Sequence, residues 1–150
     1  MRTRLPLALI LVAILLASCG GRPDVTVSIA GTTVPMVLSS TTDRTGCSIM
    51  HGDAIPQNVP LTTVRPAPPV TLRFEAGPSA TEFRGWIYEG DPPPPGGPIE
   101  EFTVPGRGGT YAPRSMTPGR TYQVLLNVQW SAVVTSGEVT HVFRLRIEPP

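Results

Sequence analysis

The chain has 150 residues, with 12 basic and 11 acidic side chains, and its formal net charge is only +1. Every basic side chain is an arginine. The near-neutral balance argues against nucleic acid as a partner, and the lack of lysine excludes Schiff-base and P-loop lysine chemistry.

The first eighteen residues have the layout of an export signal. Arg2 and Arg4 precede an apolar run from Leu5 to Ala17. That run is shorter than the roughly 20 residues with which a helix spans a bilayer. We therefore expect residues 1–18 to be a signal peptide that is removed and takes no part in the fold.

The end of the apolar run contains the stretch Leu16-Ala17-Ser18-Cys19. It resembles the bacterial lipobox, in which an aliphatic residue and two small residues precede a cysteine. The resemblance implies cleavage before Cys19, a diacylglycerol group on its sulfur and an acylated amine. Two or more acyl chains, such as palmitate, hold a protein stably on a membrane. We expect a bacterial lipoprotein with a tether over residues 19–23, outside the cytoplasm and anchored to the cell membrane or the outer membrane.

Residues 24–150 are long enough for one domain, and their sequence has the pattern of an all-β protein. The 19 prolines and 15 glycines of the chain separate short runs of alternating apolar and polar residues, which is typical of strands joined by tight turns. The predicted strands cover residues 25–29, 34–38, 47–50, 70–75, 82–89, 102–104, 122–130 and 139–147. Residues 39–46, 52–69 and 91–98 are predicted loops.

The last two predicted strands give the strongest signal. Apolar residues alternate from Tyr122 to Trp130 and from Val139 to Ile147, and Ser136-Gly137 between them predicts the turn of a hairpin. We expect an antiparallel two-sheet sandwich of seven to eight strands.

The stretch TPGRTYQVLLNVQW, residues 117–130, resembles the penultimate strand of immunoglobulin-like and fibronectin-like domains. The resemblance implies an immunoglobulin-like sandwich in which the Tyr122 hydroxyl is tied to nearby backbone. It further implies that Trp86, in RGWIY, is the buried tryptophan of an earlier strand. Trp130 shares the apolar face of Tyr122 and is the third expected structural residue. The cysteine pair of antibody domains is absent from the chain.

The stretch GCSIMHGD, residues 46–53, contains the residue types that bind copper or zinc. On a strand, Cys47 and His51 face one side and Met50 faces the other, so the three converge only if the chain bulges or turns near Gly52. The competing interpretation is a buried cysteine, a core methionine and a surface histidine, with no metal.

No catalytic set can be assembled from the sequence. Glu100 and Glu101 are neighbours on a predicted strand and point to opposite faces, so we interpret them as a solvated edge rather than as a carboxylate pair. Residues 106–109, GRGG, are interpreted as a flexible turn because no helix follows to bind a phosphate. We expect neither an enzyme nor a cofactor.

These patterns lead to one function hypothesis and one alternative. The first is a membrane-anchored, non-catalytic binding module of the cell envelope, whose partner is an envelope protein or a glycan. The alternative is a copper- or zinc-handling lipoprotein that uses Cys47, Met50 and His51.

Overall fold

The computed structural model describes residues 22–43, 56, 58–90, 95–133 and 135–149. These residues form ten strands and no helix, so the all-β expectation is confirmed. The strands are β1 (Val25–Ile29), β2 (Thr32–Thr33), β3 (Val37–Asp43), β4 (Leu61–Val64), β5 (Leu72–Ala76), β6 (Ala80–Glu89), β7 (Glu100–Pro105), β8 (Gly108–Tyr111), β9 (Thr121–Ser131) and β10 (Ser136–Ile147). The described part of the chain therefore contains no helix that could cross a membrane. The expected signal peptide, Cys19 and the stretch from Cys47 to His51 lie outside the described residues.

Two sheets stack to make the predicted sandwich. The small sheet has the strand order β2-β1-β5-β8. The large sheet has the order β3-β10-β9-β6-β7, and β4 also pairs with β10. All pairings are antiparallel except that of β4 with β10, which is parallel. The three strands β2, β4 and β8 have two to four residues each, and they account for the excess over the seven or eight expected.

The core lies between the sheets and follows from the period-two alternation of the strands. The small sheet contributes Val27, Ile29, Leu72 and Phe74. The large sheet contributes a longer row that includes Phe83, Ile87, Tyr122, Val124, Leu126, Val128, Phe143, Leu145 and Ile147. Burying each such aliphatic or aromatic side chain contributes about 1.5–3 kcal/mol, so this alternation is the main source of the fold's stability.

The hairpin of β9 and β10 is confirmed, but its turn lies earlier than predicted. Residues 132–135 connect the strands, and the Ala132 N–H donates to the Thr135 carbonyl at 2.7 Å. Ser136 and Gly137 already belong to β10. A Cβ on Gly137 would lie 2.1 Å from the Thr42 carbonyl oxygen. The glycine therefore permits a close approach of β3 and does not form the turn.

The single strand predicted over residues 34–38 is wrong. β2 ends at Thr33 in the small sheet, Pro35 lies between strands, and β3 begins at Val37 in the large sheet. The chain thus crosses from one sheet to the other at the proline, which cannot donate a ladder hydrogen bond. Residues 39–43, predicted to be a loop, belong to β3. They are Ser, Thr and Asp, and they are polar because an edge strand needs few apolar residues.

The loop predicted over residues 52–69 contains a strand. β4 pairs with β10 from Leu61 opposite Arg144 to Val64 opposite Ile147. The Arg144 Nη1 atom donates a hydrogen bond to the Val59 carbonyl at 2.9 Å and thereby fixes the residues that precede β4. Because prolines surround this segment, the sequence pattern predicted a loop and missed its four-residue strand.

The strand registers define two ends of the sandwich. At the N-terminal end, the chain enters β1 at Val25 and the loops 77–79, 106–107 and 132–135 lie together. At the far end lie the loops 65–71 and 112–120, the described residues 90 and 95–99, and the end of β10.

Candidate functional site

A loop at the far end, residues 112–118, is fixed by the side chain of Tyr122. The Tyr122 hydroxyl accepts a hydrogen bond from the Thr117 N–H at 2.8 Å and donates to the Ser115 carbonyl at 3.1 Å. The ring is completely buried in the core. This is the geometry of a tyrosine corner, so the expected role of Tyr122 is confirmed.

Glu100, the first residue of β7, holds the same loop from the other side. Its carboxylate accepts hydrogen bonds from the Tyr111 hydroxyl at 2.6 Å, the Arg114 N–H at 3.1 Å and the Ser115 N–H at 2.8 Å. Glu100 does lie on an edge strand and is only half-buried, but the interpretation as a solvated edge missed these three hydrogen bonds. Glu101 is exposed and, as expected, points to the opposite face.

These bonds change the acidity of both side chains. Burial raises the pKa of Glu100, but hydrogen bonds from the Tyr111 hydroxyl and from the backbone N–H groups of Arg114 and Ser115 outweigh it and lower the pKa to about 2. Burial and the bond to Glu100 raise the pKa of Tyr111 to about 12. A carboxylate this weakly basic and a phenol this weakly acidic are poor proton acceptors and donors at neutral pH. The pair is suited to bracing the loop.

A row of aromatic rings supports the brace from below. The Tyr111 ring stacks on Phe102 with centroids 4.5 Å apart, and Phe102 stacks on Phe74 at 5.5 Å. Phe102 lies over Gly85, where a Cβ would come within 2.0 Å of the ring. Phe102 thus fills the space that a side chain at position 85 would occupy.

Two grooves open on either side of this loop. We call the first the carboxylate groove. Its volume is about 620 Å³, and its walls are Ile99, Glu100, Glu101, Tyr111, Ala112, Arg114 and Ser115. The second, the proline groove, has a volume of about 460 Å³ and is lined by Pro66, Pro68, Pro69, Val70, Ala112, Pro113, Arg114, Met116, Pro118 and Ile147. Because both share Ala112 and Arg114, they form one continuous surface at the far end.

The two grooves differ in chemistry: the lining of the carboxylate groove is more polar than apolar, and that of the proline groove is mainly apolar. Apart from Arg114, the walls of the proline groove carry no charge. Ile99 at the rim of the carboxylate groove is 47% exposed. Rigid apolar walls with a few fixed polar groups are typical of sites that bind a ligand or a peptide segment.

The two tryptophans occupy different environments. Trp130 is 2% exposed and packs against Gly137, as expected of a structural residue. Trp86 is only half-buried and pairs with Leu125 and Glu101 on the outer face of the large sheet. The expectation that Trp86 is a buried core residue is therefore wrong, since the alternation of β6 points Phe83, Gly85 and Ile87 inward instead.

The metal hypothesis gains no support within the described residues. No group of three or more His, Cys, Asp or Glu side chains among them could hold a metal ion. Cys47, Met50 and His51 lie outside the described residues. His141 sits within β10 opposite Leu126 and Leu38, where burial lowers its pKa.

No protein family, no curated protein and no solved structure matches the chain.

The sequence pattern did not reveal the far-end surface. Tyr122 was found because PGRTY is a local signal. Glu100 was missed because its partners follow 11 to 15 residues later and only the fold brings them together. The prolines of the second groove were interpreted as loop signals, although the fold gathers them into one wall.

Proposed function

We propose that the protein is a bacterial lipoprotein, anchored through lipids on Cys19, whose sandwich is a non-catalytic binding module of the cell envelope. The observation that carries the proposal is the position of the grooves. They open at the far end of the sandwich, whereas the chain that leads back to Cys19 joins β1 at the opposite end. An anchor at one end leaves the other end free to meet a partner.

The character of the grooves favours a partner with exposed apolar groups. The proline groove is lined by five prolines and by Met116, and prolines lose little conformational entropy on binding because they are already rigid. A segment of an envelope protein fits this surface better than a glycan, whose hydroxyls would need more polar partners.

The anchor is tested by replacing Cys19. We expect Cys19→Ser to leave a protein that partitions into the aqueous phase of a detergent extraction, whereas the unaltered protein partitions into the detergent phase. Equal membrane retention of the two forms would refute the lipid anchor.

The binding surface is tested by filling it. Ala112 is exposed and belongs to both grooves, so Ala112→Arg blocks them without disturbing the core. We expect cross-linked pull-downs from intact envelopes to lose their specific partner with this variant. The matched control is Thr26→Arg on the exposed outer face of the small sheet. Identical partner sets for the unaltered protein and Ala112→Arg would refute binding at the grooves.

A further inference from the structure

The N-terminal end of the sandwich carries features that the proposed binding module does not use. We propose that this end docks on the phospholipid bilayer that holds the anchor, with the tip of the β9–β10 hairpin in the interface and Arg107 against the lipid phosphates. This inference rests on the proposed lipid anchor.

The tether leaves little distance between the fold and the membrane. Pro23 is buried, and the Asp24 carbonyl accepts a hydrogen bond from the Gly77 N–H at 3.0 Å. Packing of the domain thus extends back to Pro23, and only residues 19–22 remain between it and the acyl chains. A fully extended chain spans about 3.3–3.6 Å per residue, so the N-terminal end is held within roughly 15 Å of Cys19.

The hairpin tip presents an aliphatic side chain at this end. Val133 is 102% exposed, more than any other large hydrophobic residue in the described part of the chain. The next most exposed, Ile99, reaches 47% and belongs to the far end. In the sequence, Ala132 and Val134 flank Val133. An exposed aliphatic side chain at the end of a hairpin suits the boundary between headgroups and acyl chains.

The three loops 77–79, 106–107 and 132–135 carry one basic side chain, Arg107, and no aspartate or glutamate, although β3 ends beside them at Asp43. Arg107 is exposed in its loop, and its carbonyl accepts a bond from the Ala76 N–H at 2.8 Å, which fixes the backbone from which its side chain projects. Asp24 and Arg22 at the start of the domain have opposite formal charges. Cationic side chains near an anionic surface are attracted to it within a Debye length.

The experiment uses the full-length lipidated protein in vesicles of phosphatidylethanolamine and phosphatidylglycerol. In a Cys47→Ala background, Val133→Cys is labelled with an environment-sensitive fluorophore, since the Cys19 sulfur is blocked by lipid. The matched control carries Ile99→Cys at the far end. With nitroxide-labelled lipids we expect at least about two-fold quenching at position 133 and none at position 99. We expect Arg107→Glu to reduce the quenching at position 133.

The outcomes separate this inference from the anchor. If the protein floats with the vesicles but the label at position 133 is quenched no more than the label at position 99, the docking inference is refuted and the anchor stands. A blue-shifted label that lipid nitroxides do not quench means that the tip is covered by protein, which also refutes docking on lipid. If the protein does not float with the vesicles, the anchor fails and the inference fails with it.

Discussion

Both ends of the sandwich are closed by backbone hydrogen bonds, and the far end adds a brace made by two side chains. At the N-terminal end, the loops close through backbone atoms, as between Gly77 and Asp24 or between Ser131 and Ser79. At the far end, the loop 112–118 is held by the side chains of Tyr122 and Glu100. Arg107 takes part in this closure through its backbone carbonyl, and the Val133 side chain is fully exposed. The far-end surface, in contrast, depends on particular side chains.

The largest expected effect is at the base of the far-end brace. Gly85→Ala places a methyl group inside the ring of Phe102, and Phe102 cannot move without displacing Tyr111 and Phe74. We expect a loss of about 3 kcal/mol in the free energy of unfolding, measured by urea denaturation. Gly97→Ala, in an open loop, is the control and should change stability by less than about 0.5 kcal/mol. A stability of Gly85→Ala equal to that of the control would contradict the packing described.

The corresponding substitution at the N-terminal end is Gly137→Ala. Its methyl group meets the Thr42 carbonyl and the Trp130 ring. Because β3 is an edge strand that can shift outward, we expect a smaller loss of about 2 kcal/mol. Hydrogen exchange should accelerate in β3 and leave the loop 112–118 unchanged. Faster exchange in that loop would show that the two ends are not independent.

Tyr122→Phe removes the corner hydroxyl and keeps the buried ring. The Thr117 N–H and the Ser115 carbonyl lose their partner, so we expect a loss of about 1–1.5 kcal/mol. Tyr88→Phe on the outer face of the large sheet is the control. Equal thermal unfolding of Tyr122→Phe and the unaltered protein would mean that the hydroxyl does not fix the loop.

The smallest effect is expected from Glu100→Gln, and it depends on pH. The pKa of Glu100 is lowered in the fold from 4.5 to about 2. Its contribution to stability is therefore present above pH 4.5 and is lost as the pH falls from 4.5 towards 2. At pH 7 we expect Glu100→Gln to lose about 1 kcal/mol, a modest value because the carboxylate is partly open to solvent. Urea midpoints of the two forms should converge as the pH is lowered through this window.

The control for this titration is Glu101→Gln, on the exposed neighbour. It should leave the pH dependence of the unaltered protein in place. A difference between Glu100→Gln and the unaltered protein that stays constant from pH 7 to pH 2.5 would show that the ionised carboxylate does not brace the loop.

The sequence was sufficient for the features that local alternation determines. The alternation predicted strands over residues 25–29, 70–75 and 122–130, and their apolar residues Val27, Ile29, Leu72 and Phe74 and the face from Tyr122 to Trp130 lie in the core. The features that were missed depend on residues distant in sequence. Gly85 is explained only by Phe102 and Gly137 only by Thr42. The alternation that points Trp86 outward became clear only when Phe83 and Ile87 were seen to face the core.

The pairing of β10 with both β3 and β4 has a consequence for contacts between copies of the protein. Two short strands together cover one side of the longest strand of the described chain. The strands at the sheet edges are short. The pairing of the edge strand β3 with β10 is interrupted by a register shift between Thr140 and His141, and the edge strand β7 ends at Pro105. Within the described residues, neighbouring copies therefore find no long straight margin on which to add a strand, and short or interrupted edges of this kind protect against aggregation.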